Sequence, residues 1–552
     1  MRIASAFALS AFALSAFAAT AEQWKSRSIY QIVTDRFALG NGTYPPCNTT
    51  DRKYCGGDWR GIINNLDYIQ GMGFDAVWIS PLSTQVNETG EGEPYHGYWT
   101  GDLFSLNKHF GDESDLKGLV SALHAREMYL MLDVNVNHMG SNSTPANVSW
   151  LLPFMNETNY HYQCSIDDWT DQWEVENCWL GDDNIQLPDI NTENQTVVDM
   201  LNTWINQTVD TFNMDGLRIH AARHVRKDFW PAFTANASVF SLGESSRLSG
   251  LLPPSAAFTA NASVFSLGEV NSNDIDYTAD YTSVLDSLLD YPGYYRLQQA
   301  FSNANGDLQS LITSLRDTQR SYKMGAFASG AFMENHDQPR FQSLTKDQSL
   351  IKNAMAWIFA TDAMPIVYYG QEQGFSGAQD PDNREALWLS GMKNAGLMYE
   401  HIAALNAARK LAARASDDEF HNTSVKVVSS SNGTAALVKP PMLALISNGG
   451  NTSAPEWSVL ASDTGYEPDM TLVDVLSCEV VVTGDDGTVS TRSKDGLPLV
   501  LLPQTALAKS TLCGQPQSLS STTNGVSERT AKVSWTLVAS ALAIVAFLSS
   551  SL

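Results

Sequence analysis

The stretch "DGLRIHAARHV", Asp215 to Val225, reads as the end of a buried strand running into a helix. Side chains alternate along a strand, so Leu217 and Ile219 face one side while Arg218 and His220 face the other. An arginine and a histidine therefore share the polar side of a strand tip. The same pattern recurs along the chain. "SIYQIVTDRF", "FDAVWISPL", "MYLMLDVNVNH", "MDGLRIH", "SVFSLGE", "SVLDSLLDYP", "GAFMENHD" and "MPIVYYGQE" read as strands, and several end in acidic, histidine or arginine residues. Amphipathic patterns such as "ESDLKGLVSALHAREM" and "NQTVVDMLNTWINQTVDTFN" lie between them. Eight such alternations predict an α/β fold, a (β/α)₈ barrel, with its chemistry at the carboxyl ends of the strands.

Two interruptions set the domain plan. A loop-rich segment, 140–189, breaks the third β/α unit and reads as a small inserted domain, so the barrel is expected over 22–139 and 190–405. From 406 to 513 short runs such as "SVKVVSS", "TAALVKP" and "VVVTGDDG" predict a separate antiparallel β-sandwich.

The 552 residues are 43% apolar, enough for a large core, and carry a formal net charge of -26. That charge repels nucleic acid and anionic lipid, so neither is an expected partner. The first 21 residues, ending in Ala19-Thr20-Ala21, have the composition and cleavage pattern of a signal peptide. Residues 514–552 read as a polar spacer followed by an apolar run from about Trp535 to Leu548, with small residues around Asn524-Gly525. That is the pattern of a GPI-anchor signal whose tail is removed. N-x-[S/T] sequons, Asn41, Asn142, Asn206 and Asn432 among them, agree with secretion to the membrane surface or cell wall. Six cysteines suit an oxidising compartment, and their spacing suggests the local pairs Cys47–Cys55, Cys164–Cys178 and Cys478–Cys513. One oddity remains: "FTANASVFSLGE" occurs at Phe233–Glu244 and again, letter for letter, at Phe258–Glu269. It reads as a duplication or a gene-model error, since only one copy can form the fifth barrel strand.

"HGYW" (96–99), "DVNVNH" (133–138), "GLRIHAARH" (216–224), "GE" (243–244 or 268–269) and "ENHD" (334–337) fall in order on successive strands. Together they resemble the sequence regions of the α-amylase family of retaining glycoside hydrolases, close to the fungal secreted α-amylases. The lipid-anchor tail suggests the cell-wall-associated branch. The resemblance implies hydrolysis or transfer of α-1,4-glucan by a monomeric chain. It assigns Asp337 as a transition-state-stabilising carboxylate, and His138 and His336 as donors to sugar hydroxyls. Tyr98 becomes a stacking platform and Arg218 the arginine beside the nucleophile. Arg223 and the pair Asp380 and Arg384, in "DPDNRE", become substrate-binding residues. It further implies a Ca²⁺ site built from Asn137, Glu176, Asp189 and the backbone carbonyl of His224.

One position departs from the pattern. Retention at an anomeric carbon needs a carboxylate nucleophile and a carboxylic acid about 5 Å apart. Two residues after Arg218 the family has the nucleophilic aspartate; this chain has His220. Imidazole brings no negative charge to a cationic transition state, so impaired catalysis is expected, with α-glucan binding without turnover as the alternative. The acid is either Glu269 or Glu244. Glu269 is preferred because an insertion before its strand lies at the far face of the barrel.

Overall fold

Eight short strands close into a parallel barrel: β1 (Ile29–Gln31), β2 (Ala76–Ile79), β3 (Tyr129–Val134), β4 (Gly216–Ile219), β5 (Phe265–Gly268), β6 (Ser287–Leu289), β7 (Ser329–Ala331) and β8 (Met364–Tyr368). Each strand pairs with its sequence neighbours, and β8 closes on β1. This computed structural model describes residues 19–238, 263–431, 433–508 and 510–514. The expected (β/α)₈ fold and its C-terminal antiparallel sheet are both present.

Alternation along each strand sorts residues between two cores. In β3, Leu130 and Leu132 join the layer beneath the helices, whereas Met131 points into the lumen. There it meets Ile29, Trp78, Phe265, Leu289, Phe332 and Ile366. In β4, Leu217 and Ile219 go to the helix layer. The lumen is closed at the amino end by Trp24, which stacks on Phe265 with centroids 5.1 Å apart and donates from Nε1 to Asp215 O at 3.0 Å. A Cβ on Gly216 would stand 2.7 Å from that indole, so glycine is required by the close approach.

The helices obey their sequence signals. α1 (Glu113–His124) starts at Asp112, whose side chain accepts from Ser114 and Asp115 N–H, and buries Leu116, Leu119, Val120 and Leu123 on one stripe. α2 (Gln195–Phe212) is capped by Asn194 and ends at left-handed Asn213.

Between β3 and α2 the chain makes a loop-rich excursion with a short helix, Gln172–Asn177, and a two-stranded ladder, Leu180–Gly181 with Gln186–Leu187. All six cysteines are paired as Cys47–Cys55, Cys164–Cys178 and Cys478–Cys513, the pairs the spacing suggests. After a long helix, α3 (Leu397–Ala415), six strands form an antiparallel sheet: β9 (Lys426–Ser430), β10 (Thr434–Lys439), β11 (Met442–Ser447), β12 (Thr471–Asp474), β13 (Val480–Val482) and β14 (Leu499–Pro503). One face packs Val438, Leu443 and Leu501 against Trp457, Val459 and Val489 of a second, two-stranded sheet. The other presents Leu437, Ala444 and Ile446 to the barrel core. Lys439 reaches across that junction to the buried Asp362 at 2.5 Å.

The second copy of the repeated stretch supplies β5. The first contributes Phe233 to Asn236 to the end of a short helix, Trp230–Asn236, and its Glu244 lies outside the described residues. The signal-like start and the apolar tail also lie outside them. Among the described residues no helix is long and apolar enough to cross a membrane.

Candidate active site

The alternation that sends Met131 into the lumen also sends Asp133 there, one step nearer the carboxyl end. The strand register sets Asp133 beside Arg218. Both are fully buried. Arg218 Nη1 lies 3.0 Å from each oxygen of Asp133, and Asp133 also accepts from Tyr98 Oη at 2.6 Å and Trp78 Nε1 at 3.0 Å. Burying a guanidinium is tolerable only when it is paired, and Arg218 has two carboxylates: its Nη2 stands 2.9 Å from Glu269 Oε2.

Glu269 follows β5 directly. Its Oε2 accepts the Ala221 N–H at 2.8 Å, and Tyr291 Oη donates to its Oε1 at 3.2 Å. His220 Nδ1 is 3.3 Å from the same Oε2. Burial opposes ionisation of Glu269, yet Arg218, His220 and the Ala221 N–H together hold its carboxyl well below the usual range. Asp337, on the loop after β7, moves the other way. Burial raises it first and the neighbouring Glu269 charge raises it further. It faces His336 Nε2 at 3.2 Å and Arg384 Nη2 at 3.5 Å.

His220 stands at the centre of an aromatic group. Tyr98 tilts over it with centroids 4.7 Å apart and stacks flat on His336 at 5.2 Å and 2°. His138 meets His220 edge-on at 5.6 Å. Burial, with the neighbouring His220 charge, lowers His138 to about 3, and burial with Arg218 and Arg384 takes His336 well below the usual imidazole range. Both are therefore neutral hydrogen-bonding groups at ordinary pH. Arg384 Nε donates to His336 O at 3.0 Å and its Nη1 pairs with Asp380 Oδ1 at 3.2 Å, so the guanidinium lies between Asp380 and Asp337.

Of the residues singled out in the sequence, the structure gathers His220, Glu269, Asp337, Tyr98, His138, Arg218, His336 and Arg384 at one mouth of the barrel. Arg223 stands to one side of this group: its guanidinium donates to the carbonyls of Asn271 at 2.8 Å and Trp169 at 3.0 Å, so it straps the excursion to the barrel. It lines, with Trp169, Leu180, His220, Glu269 and Asn271, a cleft of about 400 Å³. Sequence reasoning passed over Asp133, Tyr291 and Trp169. Asp133 sits inside the quoted "DVNVNH" and was legible from alternation. Trp169 has no periodic signal, because it stands on an irregular loop.

The cation donors are partly assembled. Asn137 and Asp189 are buried, and the Oδ1 atoms of both find no hydrogen-bond partner. Two orphaned buried oxygens are what a hard cation satisfies. The other oxygen of Asp189 is taken by His161 Nδ1 at 2.6 Å, while Glu176 accepts from Gln172 Nε2 at 2.7 Å. Among the described residues no group of three or more His, Cys, Asp or Glu side chains could hold a metal. The free oxygens of Asn137 and Asp189 are of the hard type that Ca²⁺ takes, while the Glu176 carboxylate is turned to Gln172.

The profile of the family "Alpha amylase, catalytic domain" matches residues 31–436, and that of "Alpha-amylase, domain C" matches 427–521. The chain belongs to the α-amylase family. Within it, this α-amylase homologue is 40% identical to Alpha-amylase 1 of Schwanniomyces occidentalis over 505 residues, 90% of this chain and 93% of that one. It is 38% identical to an α-amylase of Saccharomycopsis fibuligera over 487 residues, 88% and 92% of the two chains. Among solved structures, an α-amylase from Malbranchea cinnamomea superposes with a TM-score of 0.82 at 42% identity, covering 90% of this chain and all of the other. The fold and the glycoside-hydrolase family expected from the sequence are both shown.

Proposed function

We propose that this protein is an α-1,4-glucan-binding member of the α-amylase family in which catalysis is strongly impaired. One observation carries the reading: at the tip of β4, two residues past Arg218, stands His220, an imidazole 3.3 Å from Glu269, where retention needs a carboxylate. The consequence spreads to Glu269. It is engaged by Arg218, His220 and Ala221 N–H, and its carboxyl is held in the ionised form. An ionised group has no proton to give a leaving oxygen. The binding groups are in better order: Tyr98 stacks on His336 and tilts over His220, His138 is neutral, and Arg384 pairs with Asp380. The protein thus keeps its hold on sugar while lacking two elements of bond cleavage.

The same reading places the chain outside the cell, as a monomer held at the membrane or wall by a GPI anchor, with Ca²⁺ joining the barrel to the excursion through Asn137 and Asp189. A bound Ca²⁺ supplies charge compensation and a cross-link there, and no chemical step. Three disulfides in a chain of this kind fit an oxidising compartment.

The deciding experiment measures maltoheptaose binding by calorimetry and turnover of the same preparation by reducing-end release. Binding is expected in the micromolar to millimolar range, with turnover far below that of a relative carrying aspartate. Rapid hydrolysis or glucan transfer by the unmodified chain overturns the impairment. Absence of both binding and turnover overturns the glucan reading. Membrane protein that resists phosphatidylinositol-specific phospholipase overturns the anchor.

A further inference from the structure

The cleft chemistry leaves the sequons unexplained, and the structure sorts them by what each asparagine already does. Asn206 Nδ2 donates to Asn236 O at 3.0 Å, Asn236 Nδ2 donates to Ala232 O at 2.8 Å, and Asn194 caps α2. Asn87, in Asn87-Glu88-Thr89, is exposed and lines a second cleft of about 500 Å³. That cleft contains none of the active-site residues.

Its aromatic element is a stacked pair, Tyr54 and His109, with centroids 3.7 Å apart and planes within 8°. Tyr54 is fixed: its Oη donates to Pro94 O at 3.0 Å and accepts from Asn107 Nδ2 at 3.1 Å, and its N–H donates to Glu93 Oε2 at 2.7 Å. His109 is exposed. A rigid aromatic pair offers a flat apolar face to the C–H side of a pyranose, and Glu93, Ser105 and Lys108 around it supply acceptors and donors for hydroxyl and acetamido groups.

We propose that Asn87 carries an N-linked oligosaccharide whose innermost N-acetylhexosamines lie in this cleft, against the His109–Tyr54 stack. The occupant is chosen by attachment: the acceptor asparagine is itself part of the cleft wall, so the sugar is held there at high effective concentration. The transfer is the ordinary one. A lipid-linked diphospho-oligosaccharide loses its anomeric C–O bond to phosphate, a C1–Nδ2 bond forms at Asn87, and the amide releases one proton as the lipid diphosphate departs. A sugar seated there also buttresses Glu93 and Pro94, immediately before Tyr95 and the "HGYW" run that carries Tyr98. The inference rests on secretion and is independent of whether the enzyme is silenced.

The test uses the full chain secreted from a glycosylating yeast. Amidase release in ¹⁸O water marks each occupied asparagine, and mass spectrometry should find the label at Asn87. Endoglycosidase trimming of the native protein should then run about tenfold slower at Asn87 than at an occupied, exposed sequon such as Asn142 or Asn422, with the rates converging after denaturation. His109→Ala, an exposed substitution, should bring the native rate at Asn87 up to the others. An unlabelled Asn87 overturns the proposal, as does equal trimming in the native state. If Asn87 is bare and His109→Ala instead weakens maltoheptaose binding, the cleft is a glucan subsite and the glycan reading fails.

Discussion

The two ends of the barrel are made from the same eight strands and do opposite things. At the amino end Trp24, Phe265 and Ile29 fill the lumen, and Gly216 is there because nothing larger fits beside the indole. At the carboxyl end the same inward positions hold Asp133 and Arg218, fully buried and paired, with Glu269, His336 and Asp337 on the following loops. Packing is cheap to satisfy and tolerant of temperature and pH; buried charge is not. One end therefore holds the fold together, while the other spends stability on an arranged electrostatic field. Substitutions at the two ends should separate cleanly into stability effects and chemical effects.

The sharpest test is at the carboxyl end. His220→Asp should raise kcat by about 10⁴-fold, roughly 5.5 kcal/mol in the barrier, with little change in KM. In that background Glu269→Gln should abolish the gain. A revertant no faster than the parent breaks the comparison. Next in size is the amino end: Trp24→Ala should cost about 4 kcal/mol of stability in urea unfolding, while the folded protein binds maltoheptaose as before. Loss of glucan affinity would show that the ends are coupled.

The excursion comes third. Chelation should remove about 2–3 kcal/mol at saturating Ca²⁺, seen as a lower Tm, and Asp189→Ala should shrink that response. Identical melts with and without chelator would leave the orphaned oxygens of Asn137 and Asp189 without a cation. The smallest effect is a pH signature. Burial opposes charge on Glu269, but Arg218 and its other donors depress its carboxyl below the unfolded value. The stability this provides is present above about pH 4.3 and lost as pH falls through the lower folded value. Relative to Glu269→Gln, the parent should lose stability more steeply as pH falls below the ordinary glutamate range; parallel acid limbs would show that Glu269 is not held ionised.

Much of this was legible beforehand. All eight barrel strands are where apolar alternation placed them, because a strand between a filled lumen and a helix layer must be apolar on both sides until its tip. The cysteine pairs were legible because they are local. The partners of Arg223 were not, since its guanidinium donates to the carbonyls of Trp169 and Asn271, 54 and 48 residues away. Nor was the engagement of Glu269, which depends on three groups from the β4 tip converging on one oxygen.

By itself the sequence determined the barrel, its amphipathic helices, the C-terminal sheet and the presence of histidine at position 220. Those follow from periodicity and identity, which are local properties of the chain. Only the tertiary structure decided that the second of two identical twelve-residue stretches supplies β5, and that Glu269 is bound to Arg218 and His220. The physical reason is the same for both. Two copies with one local propensity differ only in what surrounds them, and a carboxyl group's charge is set by neighbours that the fold, not the chain order, brings within hydrogen-bonding distance.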